Sequence, residues 1–117
     1  MDFDRNAPVF VQIKERIRRD ILVGVYPPDC QLPPVRQLAV DMSVNPNTVQ
    51  KALSLLEESG LVITKGTLGR FVTDNTELIS RAGKQAKREK LRAFFRELNA
   101  LGITNDEILE FMKEELE

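Results

Sequence analysis

Two amphipathic segments with a three-residue interval between them constrain the fold of this chain more than any other feature. The first segment opens at Pro33 and Pro34 and places apolar side chains three and four residues apart. The second begins at Asn45-Pro46, a good N-cap followed by a good first helical residue, and keeps this spacing to about Ser59. The interval Ser43-Val44-Asn45 therefore predicts a tight turn between two short helices, an arrangement typical of a helix-turn-helix.

The residues on either side of this motif predict one helix before it and a β-hairpin after it. Residues 8 to 23 repeat apolar side chains at helical spacing, and the proline pair at 27 and 28 predicts a surface loop. Beyond Gly60, where the third helix should stop, residues 61–64 and 70–73 are β-rich runs around a loop that contains glycine. A hairpin directly after the second helix of a helix-turn-helix is a wing.

The last third of the chain predicts two more helices and a dimer interface. Residues 77 to 101 carry an apolar stripe in their second half, and Thr104 with Glu107 forms a capping-box pattern that begins a last helix. Two helices this short expose too much apolar surface to stand alone, so we expect a second copy of the chain to cover it. The expected dimerisation residues are Leu91, Phe94, Phe95, Leu98, Leu101, Ile108, Leu109 and Met112.

These elements together predict a mainly α fold with a small β-hairpin. We expect a winged helix-turn-helix over residues 1–74 and two C-terminal dimerisation helices over residues 75–117. A chain of 117 residues is long enough for one compact domain with a short appendage. It is too short to add a full ligand-binding domain, so we expect none.

The composition argues against several other classes of protein. Cys30 is the single cysteine and the sequence has no histidine, so the usual metal clusters and nucleophile–base pairs cannot be assembled. We expect no cofactor, no metal and no catalytic residue, and therefore not an enzyme. No apolar run approaches the roughly 20 residues of a membrane span, and the N-terminus lacks signal-peptide character. The expected location is the cytoplasm.

Four motifs give the chain a specific resemblance to a known family. They are Leu32-Pro33-Pro34-Val35-Arg36-Gln37-Leu38-Ala39, Val44-Asn45-Pro46-Asn47-Thr48-Val49-Gln50-Lys51-Ala52-Leu53, Leu56-Glu57-Glu58-Ser59-Gly60-Leu61-Val62 and Gly69-Arg70-Phe71-Val72. The sequence resembles the GntR family of bacterial repressors over about residues 8 to 73, and its short two-helix tail looks like the YtrA subfamily. The resemblance implies a symmetric dimer that binds double-stranded DNA. The third helix would lie in the major groove and the wing tip at the minor groove.

The predicted DNA-binding residues lie at three places in this module. Arg36 matches the family arginine that reaches DNA, although a surface salt bridge is the alternative. Asn45 is as readily a helix cap as a contact, whereas Gln50 could read adenine or simply lie on a solvated face. Lysine and glycine in the wing suit phosphate or minor-groove contact. The full set is Arg36, Asn45, Asn47, Thr48, Gln50, Lys51, Lys65, Gly66, Gly69 and Arg70.

The charge pattern limits how the chain could bind DNA and leaves the role of one basic run open. The net charge is −1, so any positive DNA-facing surface must come from the placement of a few cations. Residues 81–96 hold seven basic residues against one acidic residue, whereas residues 106–117 are strongly acidic. The basic run could extend the DNA footprint, but we favour a solvated face or pairing with the acidic helix of a partner subunit.

The predicted function is therefore a sequence-specific transcription regulator, a repressor that binds a pseudo-palindromic operator as a homodimer. A winged-helix adaptor that binds protein without specific DNA binding is the alternative, which the pI of 5.6 permits. A small-molecule effector is left open as a further partner, and none is identified by the sequence.

Overall fold

The computed structural model describes residues 3–117, so residues 1 and 2 of the predicted first domain lie outside the described range. Five helices and two strands follow one another within it. Helices α1, α2 and α3 span Val9–Leu22, Val35–Met42 and Pro46–Glu58, strands β1 and β2 span Val62–Thr64 and Arg70–Val72, and helices α4 and α5 span Thr76–Ala100 and Asn105–Leu116. The prediction of a mainly α fold with a small hairpin is confirmed.

The core of the winged module forms where α1 packs against α3, with α2 also packed on α3. Ile13, Ile17 and Ile21 are buried on α1 because they recur every four residues and so share one face. The apolar side chains at three- and four-residue spacing on α3 are all less than 2% exposed: Val49, Ala52, Leu53 and Leu56. This packing orients α3 so that its opposite face remains in solvent.

The turn between α2 and α3 takes the form that the sequence predicts. Ser43 adopts a left-handed conformation with φ of 56°, and the backbone N–H of Val44 bonds back to the carbonyl of Ala39 at 3.0 Å. Gly60, with φ of 85°, ends α3 as expected, because glycine adopts this conformation without strain. The turn of the helix-turn-helix and the end of its second helix are therefore fixed by local chemistry.

The wing contains more pairing than the sequence indicated. Strands β1 and β2 are antiparallel, with Val62 opposite Val72 and Thr64 opposite Arg70. The segment just before α2 adds a second line of hydrogen bonds along β2, from Leu32 N to the carbonyl of Arg70 and from Val72 N to the carbonyl of Cys30, both 2.9 Å long. The chain that leaves the predicted surface loop therefore ties β2 to the helical part of the module.

The chain divides into two compact units, Met1–Ser80 and Arg81–Glu117. The side chain of Asn75 caps the start of α4 by accepting from Leu78 N at 3.0 Å. Thr104 and Glu107 form the predicted capping box at the start of α5. In the described part of the chain, no helix is long and apolar enough to cross a membrane.

The apolar side chains predicted for dimerisation differ in their exposure within the single chain. Leu91, Phe94, Leu101 and Leu109 are exposed, with 47% to 77% of their surface accessible. Three others are half-buried, namely Phe95, Leu98 and Met112. Ile108 is only 1% exposed, which corrects its assignment as an interface residue. It packs inside the chain because its position in the first turn of α5 faces inward, and it offers no surface to a partner.

Candidate nucleic-acid interface

Asn45 caps the first turn of α3, so its side chain is already used within the protein. Its side-chain oxygen accepts from the backbone N–H of Asn47 at 2.8 Å, and Pro46 follows at the first helical position. The cap satisfies one of the donors that a helix leaves unpaired at its start. Asn45 is therefore engaged in beginning the helix.

The outer face of α3 presents polar side chains to solvent. Asn47, Gln50 and Lys51 are exposed, while Thr48 is half-buried. Asn47 and Gln50 are three residues apart and Asn47 and Lys51 four apart, so they share one face of the helix. This face is opposite the buried stripe, and it is the surface that could enter a groove of DNA.

Lys51 is positioned by an aromatic ring on the neighbouring helix. Its Nζ lies 3.9 Å from the centroid of the Phe10 ring at the start of α1. A cation over an aromatic face is attracted by the negative charge of the ring's π-system. The sequence does not predict this contact, because the two residues are far apart in the chain.

The side chain of Arg36 is exposed at the first turn of α2 and forms no salt bridge or hydrogen bond within residues 3–117. The salt-bridge alternative for Arg36 therefore has no partner in the described part of the chain. Its guanidinium retains all of its donors for an external acceptor.

The tip of the wing is a tight turn held from two sides. Residues Gly66–Leu68 form a short 3₁₀ turn, and Gly69 has φ of 109°, a conformation that L side chains rarely adopt. The side chain of Gln31 donates to the carbonyl of Leu68 at 2.6 Å. Lys65 pairs with Asp29 at 2.8 Å and also lies 4.5 Å from the centroid of the Phe71 ring. The ammonium group of Lys65 is therefore held in place by contacts within the winged module.

Arg70 is the most constrained of the predicted contacts. Its Nε donates to Oε1 of Glu57 on α3, and its Nη1 donates to Oε1 of Gln50 at 3.1 Å. The hydroxyl of Thr64, across the hairpin from Arg70, donates to the same Glu57 oxygen at 3.0 Å. The hydrogen bond from Arg70 lowers the pKa of Glu57 against the opposing effect of burial, so this carboxylate stays ionised.

Sequence reasoning missed the residues that hold the predicted contacts in place. Glu57, Gln31 and Asp29 each bond to a wing residue more than ten positions away along the chain. The motif around Glu57 was noted only as part of the family resemblance. An acidic residue facing a predicted DNA contact is the signal that could have identified Asp29 and Glu57, but it becomes specific only when the fold is known.

Cys30 has the environment of a passive residue. It is half-buried, and burial together with the charge of Asp29 raises the pKa of its thiol. The raised pKa reduces the thiolate, which is the reactive form. Within the described residues, no group of three or more acidic or cysteine side chains is placed to hold a metal ion.

A helix-turn-helix followed by a hairpin, with exposed polar residues on its second helix, defines the class of winged helix-turn-helix DNA-binding domains. The chain belongs to one family of this class. The model of "Bacterial regulatory proteins, gntR family" matches residues 10–72.

Similarity to known regulators extends beyond the winged module. The chain is 30% identical over 110 residues to the HTH-type transcriptional repressor YtrA of Bacillus subtilis (strain 168), covering 93% of this chain and 85% of YtrA. It matches a solved GntR family transcriptional regulator from Listeria monocytogenes with a TM-score of 0.88 and 30% identity, covering 96% of this chain and 98% of that one. The short helical tail is therefore part of what these proteins share.

A third similarity concerns the winged module alone. The DNA-binding domain of AraR, solved in complex with operator ORX1, matches with a TM-score of 0.55 and 31% identity. The match covers 57% of this chain and 81% of the AraR domain. A module of this fold therefore binds an operator in at least one relative.

Proposed function

We propose that this protein is a cytoplasmic transcriptional repressor that binds a pseudo-palindromic DNA operator as a homodimer. The observation that carries the proposal is the exposed polar face of α3, which lies opposite a fully buried stripe. In a winged helix-turn-helix of this family, such a face is the surface available to the major groove. The name of YtrA supports the repressor role, and the AraR complex supports operator binding.

The positive charge for phosphate contact comes from a few placed cations. Arg36 has no bonding partner within residues 3–117, and Lys51 rests on an aromatic ring, which leaves its charge available. Each cation that neutralises a phosphate releases a counterion and makes the affinity depend on salt. A module with few free cations is therefore expected to have a shallow salt dependence for each protomer.

The dimer would form through the tail. Leu91 and Phe94, three residues apart on α4, expose about half of their surface in the single chain. Two linked modules bind adjacent half-sites much more tightly than either module alone, because the second contact becomes intramolecular. A dimer would also present each of the placed cations twice.

Operator selection from genomic fragments, followed by binding measurements on the enriched DNA, tests the proposal. Arg36→Ala should lower affinity by about tenfold. Arg19→Ala is the matched control, because Arg19 is an exposed arginine on α1 outside the predicted interface. Equal affinity and equal salt dependence in Arg36→Ala and the parent protein would contradict the assignment of Arg36 to the interface. If no fragment is enriched at low salt while a protein partner co-purifies, the adaptor function replaces the regulator.

A further inference from the structure

A continuous set of hydrogen bonds connects the wing to the exposed face of α3. Arg70 on β2 bonds to both Glu57 and Gln50, which lie seven residues apart on the same helix. Thr64 adds a second donor to the Glu57 carboxylate. The side chain of Arg70 is only 18% exposed, although it was predicted to contact DNA. The cation is therefore directed toward α3 and is largely withdrawn from solvent.

The ion pair with Glu57 keeps Arg70 in this position at neutral pH. Glu57 is ionised there because the bond from Arg70 holds its pKa below the ordinary value. A charge-assisted bond to the Nε side of the guanidinium restricts its rotation and leaves Nη1 directed at Gln50. Three elements, β1, β2 and α3, contribute to fixing one arginine.

The chemistry of arginine decides how the Gln50 amide is turned. A guanidinium has only donors, so the amide must present its oxygen, and its NH₂ group must point away. The bond occupies one of the two lone pairs on Oε1. The amide therefore retains two N–H donors and one acceptor position, which are the groups that pair with N7 and the N6 amino group of adenine in the major groove.

We propose that Arg70 is a positioning residue that holds the amide of Gln50 in one orientation, and that Gln50 reads an adenine in each operator half-site. This inference rests on the proposed DNA-binding function. A glutamine on a solvated helix face otherwise samples several rotamers, and fixing it before binding reduces the entropy that recognition costs. Arg70 thus acts on the DNA through Gln50, without touching a base or a phosphate.

The first experiment needs no DNA. The side-chain amide signals of Gln50 in the ¹⁵N-labelled full-length protein are assigned by their loss in Gln50→Ala. Arg70→Met should shift these signals and increase their picosecond-to-nanosecond mobility, whereas Lys65→Met, which removes a wing cation that does not bond to Gln50, should leave them in place. Unchanged Gln50 signals in Arg70→Met would overturn the positioning role.

The second experiment measures base preference on the selected operator with every single-base substitution in one half-site. The parent protein should prefer adenine at one position by about tenfold. Gln50→Ala and Arg70→Met should both lose that preference at the same position, and the double variant should lose no more than either. Preferences at the other positions and the salt dependence should be retained in Arg70→Met.

Two results would overturn the inference while leaving the regulator function intact. One is an adenine preference that persists in Arg70→Met. The other is a uniform loss of affinity for all sequences with a salt slope reduced by about one for each protomer, which is the behaviour of a phosphate contact. Failure of the parent protein to prefer any sequence would instead overturn the proposed function. Glu57→Gln releases Arg70 by a second route and should reproduce the loss if Arg70→Met folds poorly.

Discussion

Lys65 in the wing pairs with Asp29 in the loop before α2, with Nζ 2.8 Å from Oδ1. The two side chains are 42% and 60% exposed, so solvent screens the pair and it contributes little to stability. The carboxylate offsets the positive charge of Lys65, one of the wing cations predicted to contact DNA. Under the proposed function, Asp29 would therefore weaken the attraction between the wing and DNA phosphate.

Replacing Asp29 by asparagine should strengthen DNA binding. Asp29 has φ of 65°, a conformation that asparagine tolerates, so the backbone of the loop is kept. Freeing Lys65 should raise affinity by about twofold to fivefold at low salt, with a steeper salt dependence. Fluorescence anisotropy over a salt series measures both. Asp74→Asn makes the same charge change at an exposed carboxylate that forms no salt bridge with Lys65 within the described residues, and an equal gain in that variant would contradict the specific role of the pair.

Substitution of the two asparagines at the start of α3 should separate capping from recognition. Asn45→Ala removes the acceptor for Asn47 N and should lower the free energy of unfolding by about 1 kcal/mol. Asn47→Ala removes an exposed side chain and should leave stability within about 0.5 kcal/mol while weakening DNA binding. Chemical denaturation and anisotropy measure the two effects. Equal stability of the two variants would show that the cap contributes nothing.

The ion pair between Glu57 and Arg70 should make stability fall in acid. Because the pKa of Glu57 is lowered in the folded state, the stabilisation is fully present above its ordinary value of 4.5 and is lost as the pH falls through the lowered value. Glu57→Gln should cost about 1 kcal/mol at neutral pH and flatten the dependence below pH 5. Unfolding midpoints from pH 3 to 7 measure this.

The neighbouring Glu58 provides the control for this experiment. It is exposed and forms no salt bridge in the region that the structure covers. Glu58→Gln should retain the acid dependence of the parent protein. If the two variants lose the same amount of it, the dependence does not arise from the pair with Arg70.

Charges placed on the exposed stripe of α4 should prevent dimerisation. Leu91→Asp with Phe94→Asp replaces two apolar side chains by carboxylates. The two side chains are 50% and 47% exposed, so the tail itself should still fold. Sedimentation should report a monomer, and operator affinity should fall by about 100-fold because the two half-sites are no longer linked. Glu97→Gln, which alters an exposed residue outside the predicted interface set, is the control. A variant that remains dimeric would place the interface elsewhere.

Local chemistry is what made the fold predictable from the sequence. Asn45 and Thr104 are helix caps whose partners lie two and three residues away, so composition and spacing alone identify them. The buried stripe of α3 follows in the same way from its period. Once the position of that stripe is known, the polar face of α3 is predicted to lie on the opposite side of the helix.

The hydrogen bonds between different elements of the candidate interface could not be predicted in this way. Arg70 bonds to Glu57 and Gln50, which are 13 and 20 residues away in the sequence, and Gln31 bonds to Leu68, which is 37 residues away. No periodicity links residues on different elements, so these bonds depend on how β2 packs beside α3. Ile108 is a related case. From the sequence alone, an apolar residue on a short helix is equally consistent with a subunit interface and with the interior of the chain, and only the packing distinguishes the two.

The bond between Arg70 and Gln50 also bears on how a protein of this kind acquires a new target. Exchanging Gln50 alone for a residue without an acceptor leaves a partly buried guanidinium short of one partner, and the variant would carry that cost before any new contact is gained. Under the proposal that Gln50 reads the operator, redesign of specificity would have to treat positions 50 and 70 as a coupled pair. In a library of variants that changes α3 and keeps the wing constant, most substitutions at position 50 would leave Arg70 without this hydrogen-bond partner.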